Sequence, residues 1–469
     1  MLDYSAFEGN KDFLPFFEEL TKIPRGSGNT KPIADYLEEF AKKRGLEYER
    51  DSSDNVIIKK RASRGYESTP AVILQAHTDM VIAKEDFVTR DLTKEGVDVF
   101  IDGTFLKARG TTLGADNGMG ASFILALLDS ADIPLPKIEG VFTSNEEIGL
   151  LGAGALDTSL LSGKTYINLD AGTDGTFIAG CAGGVRIDIE SEYTKTEVKE
   201  YYSVKISGLL GGHSGSMIGA GRVNAIKLIA EMVPSGVSIG DIFGGNADNA
   251  IASFVEFKLS DKGDIEERIK AVLDRYAESE KSLTVVCEHV EEKAKLFTKE
   301  DTERLLSLIA ALPYGPLEMN EKIPNLVESS MNLGIISTMG ERVKLTASVR
   351  SSSEVKKSEI CNRVYAIAEE YKGTCESSGA YPGWEFSKIS PIRDTLTSLY
   401  KEITGKEAKT VTIHAGLECG IFTSKIEGLD AISMGSAELD IHTTAERASI
   451  PSAIRTYELL TTALKRIKE

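Results

Sequence analysis

Four of the chain's five histidines stand beside glycine, acidic or hydroxyl residues, and these carry its first signs of chemistry. His77 opens HTD, His213 lies in GGHSG, His414 opens HAGLECG and His442 lies in DIHTTAE, whereas His289 sits in an ordinary segment. Acids recur in similar settings: Asp116 in TTLGADNGMG, the adjacent Glu146 and Glu147 in SNEEIG, and Asp170 closing YINLD. Neighbouring carboxylates repel, so the glutamate pair calls for water or a cation. Singly, each signal is weak. A histidine two residues from an aspartate is common, and Asp116 ahead of a helix could be an N-cap. Capping alone, however, does not call for the glycines that flank it.

Together these residues are a ligand set for divalent cations. Two cations sharing Asp116, with His77, Glu147, Asp170 and His442 around them, set four positive charges against three carboxylates. The remaining charge favours a bound hydroxide, because a metal lowers the pKa of its water to about 7. Glu146, aimed differently from Glu147, then serves as general base and later passes the proton to a leaving amine. Asp79, two residues from His77 along a strand, is placed to accept the free ring N–H and fix the tautomer. Oxygen and nitrogen donors suit zinc, with manganese or cobalt as alternatives.

The elements that must hold these residues follow from periodicity. AVILQAHTDMV, IEGVFTSNEE and KTYINLDAG are short, β-branched runs separated by helical stretches such as GASFILALLDSA. Such alternation predicts an α/β domain with a mostly parallel, buried central sheet. Each run ends in acid or histidine, where open α/β sheets place their ligand crevice. After GCAGG the texture shifts to strands and amphipathic helices of an α+β type, and the stretches 253–288 and 343–378 share a strand–helix–strand plan that suggests a duplicated unit. The expected layout is a catalytic domain in two pieces, 1–186 and 386–469, with an inserted domain over 187–385.

Composition narrows the class. The formal charge of −18, from 72 acidic and 54 basic residues, argues against nucleic acid or anionic membrane as partners. No apolar run approaches the roughly 20 residues of a membrane helix, and the N-terminal stretch is not that of a signal peptide. Five scattered cysteines without CxxC fit reduced thiols. A cytoplasmic protein is expected, with any metal held by His, Asp and Glu.

In order along the chain, HTD, TTLGADNGMG, SNEEIG, NLD, GCAGG, GLLGGHSG, HAGLECG and IHTTAE resemble the di-zinc exopeptidases that include peptidase T, carnosinase and carboxypeptidase G, and most closely their aminoacyl-histidine dipeptidase branch. The resemblance spans nearly the whole chain. It implies a phosphorylase/hydrolase-like catalytic domain with an inserted lid, and the ligand and base roles given above. It also implies a cis peptide bond after Asp116. His213 falls where such enzymes carry a histidine that stabilises the oxyanion or binds substrate, often across a dimer, which leaves a homodimer open. Asn249 and Arg350 match positions that hold the substrate's terminal carboxylate, and His414 and Glu418 lie in a loop expected to line the cleft. The implied activity is hydrolysis of unmodified dipeptides, including Xaa-His and β-alanyl-histidine. Alternatives are a tripeptidase or N-acyl amino acid hydrolase on the same metal site, and more distantly a non-catalytic binding protein.

Overall fold

The computed structural model describes residues 2–320 and 323–467. It divides into two units: residues 1–181, 384–412 and 417–469 form the first, and 182–383 with 413–416 the second.

An eight-stranded sheet organises the first unit, in the spatial order Glu47–Arg50, Val56–Lys60, Ile138–Thr143, Val72–His77, Thr165–Asn168, Asp430–Ser433, Thr176–Cys181 and Lys409–Ile413. The sheet is mixed. Its centre is parallel, with Val72–His77 between Ile138–Thr143 and Thr165–Asn168, and Asp430–Ser433 parallel to the latter. Antiparallel pairings flank this centre on both sides. Every residue of Val72–His77 and Ile138–Thr143 is buried, as continuous apolar runs covered on both faces must be. The helix Ala115–Asp129 is also buried nearly all round, and Phe123 from it meets Phe13 edge to face at 4.8 Å.

Polar residues run across the buried centre of this sheet. Gln75 accepts from Tyr166 Oη and Asn168 Nδ2 and donates to Glu418, Thr143 also donates to Glu418, and Ser433 donates to Asn168. Gln75 stands two residues before His77, the end of its strand, and Asn168, the end of its own, stands two residues before Asp170. This network therefore fixes the register of the strands that carry the candidate site.

The second unit is built on a nine-stranded sheet. Tyr201–Ser207, helix Ala225–Met232, Ile239–Gly244, Val255–Leu259, helix Ile265–Tyr276 and Thr284–Val290 form one run whose strands lie in the order fourth, first, third, second. Gly183–Glu192, helix Lys299–Ala311, Val327–Met339, Arg342–Ser351, helix Glu354–Glu370 and Gly373–Tyr381 repeat that order, with the first run inserted after their opening strand. The second strands of the two runs pair antiparallel. The stretches 253–288 and 343–378 fall in the second halves of these six-element units.

Candidate active site

The acids and histidines at the strand ends of the first unit converge. His77, the last residue of its strand, places Nε2 2.9 Å from Asp116 Oδ1, 3.5 Å from Asp170 Oδ1 and 4.0 Å from Glu146 Oε2. His442 places Nε2 3.2 Å from the other Asp116 oxygen and 2.9 Å from Glu147 Oε1. Asp116 therefore faces one imidazole with each oxygen. Among the described residues, potential ligand atoms within 4.8 Å of one another form three groups: His77, Asp116 and Asp170; Asp116, Glu147 and His442; and His77, Glu146 and Glu147. Buried Glu147 Oε1 makes no hydrogen bond despite its closeness to His442, so the two atoms approach without hydrogen-bond alignment. An unpartnered buried carboxylate oxygen among imidazole and carboxylate donors fits a divalent cation.

Backbone conformation aims these groups. The Asp116–Asn117 peptide is cis, and the helix from Ala115 begins only after non-helical angles at Asp116 and Asn117. Asn145, just ahead of the glutamate pair, has φ 52°, and His442 itself has φ 64°. Left-handed backbone is unfavourable for residues with a Cβ and clusters where a site is held in place by its surroundings.

The glycines around Asp116 have a definite tenant. A Cβ at Gly114 or Gly118 would lie 2.5 Å from Arg25 Nη2, and one at Gly120 would lie 2.2 Å from Asn117 Oδ1. Arg25 is buried behind the acids, donating to the carbonyls of Thr78 and Gly114. Burial lowers its pKa, while Glu446, Asp79, Asp116 and Glu147 pull it back up. Glu446, also buried, closes the same loop. Its Oε2 accepts from the amides of Leu113 at 2.8 Å and Gly114 at 3.0 Å, and its Oε1 from Ala115 at 2.8 Å and Asp116 at 3.5 Å. Neither Arg25 nor Glu446 was singled out by sequence. Glu446 lies in the same DIHTTAE motif as His442, and that proximity was the available signal.

Asp79 stands beside the His77 ring and has a second task besides. His77 Nδ1 lies 3.1 Å from the Asp79 main-chain oxygen and 3.7 Å from its carboxylate. The strand ends at His77, so strict two-residue alternation no longer sets the direction of Asp79. Its carboxylate also accepts from Ser27 Oγ at 2.7 Å and from the amides of Glu146 at 2.9 Å and Glu147 at 3.4 Å, which fixes the loop carrying both glutamates.

So many acids in one buried place shift one another. Burial raises Asp170 to about 7 and Glu418 to about 8, each opposed by His77. Burial also lifts Glu146 well above the usual carboxylate range. His442 is raised to about 10 by its bond to Asp116 and by the close Glu147 carboxylate. Asp116 moves the other way: burial alone would raise it, but the two histidines hold it below its ordinary value. The cluster favours bound positive charge, whether protons or cations. Glu418 is fully buried, with Oε2 held by Gln75 and Thr143 and Oε1 unpartnered.

The remaining expected residues belong to the second unit. His213 and Asn249 are brought together where Gly212–His213 pairs with Ala250–Ile251. His213 Nδ1 accepts from the Gly215 amide at 3.1 Å, which places the ring proton of neutral His213 on Nε2. Asn332 donates to the carbonyls of Asp248 and Ala250 and so anchors the Asn249 turn. His414 Nε2 lies 2.7 Å from Ser330 Oγ, and burial together with the Arg350 charge lowers its pKa to about 4. Arg350 is buried, with Nη1 donating to Tyr381 Oη at 2.6 Å.

Residues 73–466 match the model of peptidase family M20/M25/M40. The chain belongs to this family. Membership, together with the dipeptidases it resembles, makes it a metal-dependent hydrolase of peptide bonds. Among similar proteins, the cytosol non-specific dipeptidase of Escherichia coli is 31% identical over 96% of each chain. The crystal structure of an aminoacylhistidine dipeptidase from Vibrio alginolyticus is also 31% identical, covers 98% of this chain and 97% of its own, and superposes with a TM-score of 0.87. A tripeptidase from Staphylococcus aureus, 18% identical over 97% and 98% of the two chains, shares the fold with a TM-score of 0.56. Among the described residues of this M20 peptidase, no helix is long and apolar enough to cross a membrane.

Proposed function

We propose that this chain is a cytoplasmic dipeptidase that uses two divalent ions, zinc by preference, to hydrolyse unmodified dipeptides, Xaa-His among them. The observation that carries this reading is the pair of ligand groups sharing Asp116, with Glu146 at their margin. His77, Asp116 and Asp170 would hold one ion, and Asp116, Glu147 and His442 the other. Bound there, the ions would polarise the scissile carbonyl and lower the pKa of water to about 7. Glu146 takes the proton of the attacking water and returns it to the leaving amine. Its burial favours the protonated form and so supports the second transfer. Asp79 holds the Glu146 loop through the two amides.

His213 offers Nε2–H to the developing oxyanion, with Asn249 beside it. Arg350 takes the substrate's terminal carboxylate, a task suited to a planar guanidinium. The two 31%-identical relatives, a non-specific dipeptidase and an aminoacylhistidine dipeptidase, support a dipeptide substrate. The test is a panel: β-alanyl-histidine, ordinary dipeptides, a tripeptide and an N-acetyl amino acid, assayed after zinc or manganese loading. Dipeptide cleavage that stops with chelator and in Glu146→Ala supports the reading. Preference for the tripeptide or the acylated amino acid would refute it.

A further inference from the structure

In the second unit's sheet, Ser330 pairs with Arg350, Arg350 with Gly184 and Gly184 with Tyr381, one residue on each of four neighbouring strands. Residues in such a row project from one face of the sheet. The third position has no side chain, and Tyr381 uses the space. A Cβ on Gly184 would lie 2.5 Å from the Tyr381 hydroxyl oxygen and 2.6 Å from Cζ, and one on Gly416 would lie 2.7 Å from Cε2. Two glycines from separate motifs, GCAGG and HAGLECG, are thus cut away around one ring. The Tyr381 main chain is anchored as well, its carbonyl accepting from Lys357 Nζ at 2.7 Å.

Across the gap, Tyr381 Oη accepts from Arg350 Nη1 at 2.6 Å. Arg350 is only 7% exposed, its Nε–H is buried without a partner, and no carboxylate among the described residues lies within ion-pair distance of it. A buried guanidinium in that state is costly unless an anion completes it. On the other side of the row, Ser330 engages His414, which burial and the Arg350 charge keep neutral, so this neighbour does not compete with an incoming anion.

We propose that Tyr381, lying over Gly184, is a positioning residue that orients Arg350 toward the substrate's terminal carboxylate and thereby sets the preference for a free C-terminus. This rests on the reading of Arg350 given above. The experiment compares kcat/KM for a dipeptide and for its C-terminal amide in the wild type, Tyr381→Phe, Gly184→Ala and Arg350→Ala, with thermal unfolding of each. The acid-to-amide ratio is expected to fall about tenfold in Tyr381→Phe and Gly184→Ala, mainly through KM of the acid, and further in Arg350→Ala. An unchanged ratio in Tyr381→Phe, with a lowered ratio in Arg350→Ala, overturns the role of Tyr381 and leaves Arg350 in place. An unchanged ratio in Arg350→Ala removes the underlying reading instead. Equal losses on acid and amide in Tyr381→Phe, accompanied by a lower unfolding temperature, would mark the ring as merely structural and also overturn the proposal. Should Gly184→Ala fail to fold, Tyr381→Phe, which deletes a single oxygen, carries the test.

Discussion

Replacing Glu446 by glutamine should damage both stability and metal binding, although Glu446 belongs to none of the groups of potential ligands. Its carboxylate receives three amides at 2.8–3.0 Å and a fourth at 3.5 Å from the loop Leu113 to Asp116. A glutamine keeps one acceptor oxygen and turns an NH2 toward the remaining amides. At least one short N–H···O bond is lost, and buried N–H donors are left facing another donor. At about 1–3 kcal/mol for each unsatisfied buried group, the expected loss is about 2–5 kcal/mol. The substitution also removes the largest electrostatic support of buried Arg25. Because Glu446 is four residues from His442 and grips the loop carrying Asp116, the shared carboxylate and one imidazole lose their common support. Removing such outer support typically costs about 10–100-fold in metal affinity. Denaturant unfolding with chelator present reads the first effect, and competition against a chromophoric zinc chelator reads the second. Wild-type zinc affinity in a destabilised Glu446→Gln protein would refute the coupling and reduce Glu446 to a loop anchor.

Glu146→Gln should retain two ions per chain by elemental analysis while turnover falls by about 10²–10⁴, the usual contribution of a general acid–base; loss of the metal instead would place Glu146 among the ligands. Metal uptake should release protons at pH 7, since His442, raised to about 10, must shed its proton to become a ligand; calorimetric titration in buffers of different ionisation enthalpy counts them, and zinc affinity should weaken as pH falls. In chelator-treated protein the same group works in the opposite sense. A raised histidine pKa contributes stability that is complete below about 6.5 and lost as pH rises through about 10, so this form should unfold more easily at pH 10.5 than at 7, and less so in His442→Ala. Gly118→Ala, whose Cβ would meet Arg25 Nη2 at 2.5 Å, should unfold at lower denaturant, while Gly154→Ala, with nothing within 4 Å, should be neutral or slightly stabilising.

Strand-end acids and histidines were legible in sequence because their signal is local: an apolar run that stops at His77, Asp170 or just before Glu146 declares both the strand and the residue at its end. The parallel centre of the sheet was legible for the same reason, whereas its antiparallel flanks depend on pairings between segments far apart, such as Val56–Lys60 with Ile138–Thr143. Groups that act across long separations left little trace. Arg25 meets Gly114 after 89 residues, and Glu446 meets Leu113 after 333. Their imprint was indirect, in glycines that looked excessive for an N-cap. Tyr381 was hidden likewise, since nothing in its neighbourhood states that a ring will cross to a glycine two hundred residues earlier.

The charges around Asp116 explain why the sequence surrounds one aspartate so elaborately. A carboxylate that faces His77 with one oxygen and His442 with the other must stay ionised although burial opposes it. Cations on the ligand side alone would leave its backbone loop unneutralised and mobile, and an acid behind the loop alone would repel it. The fold places Glu446 on the amides, where four N–H dipoles absorb its charge, and Arg25 on the carbonyls of Thr78 and Gly114, where its charge is felt by that glutamate and by the cluster acids. The Arg25 charge is thus felt by Glu446, Asp79, Asp116 and Glu147 together, without a direct ion pair to any of them. It follows that Arg25→Met should weaken metal binding and stability together, because it strands Glu446 and Asp79 at once, and that Glu446→Gln combined with Arg25→Met should cost less than the sum of the two single changes. Additive costs in that double-mutant cycle would mean that the guanidinium and the carboxylate serve the loop independently, and the shared electrostatic account of Asp116 would fail.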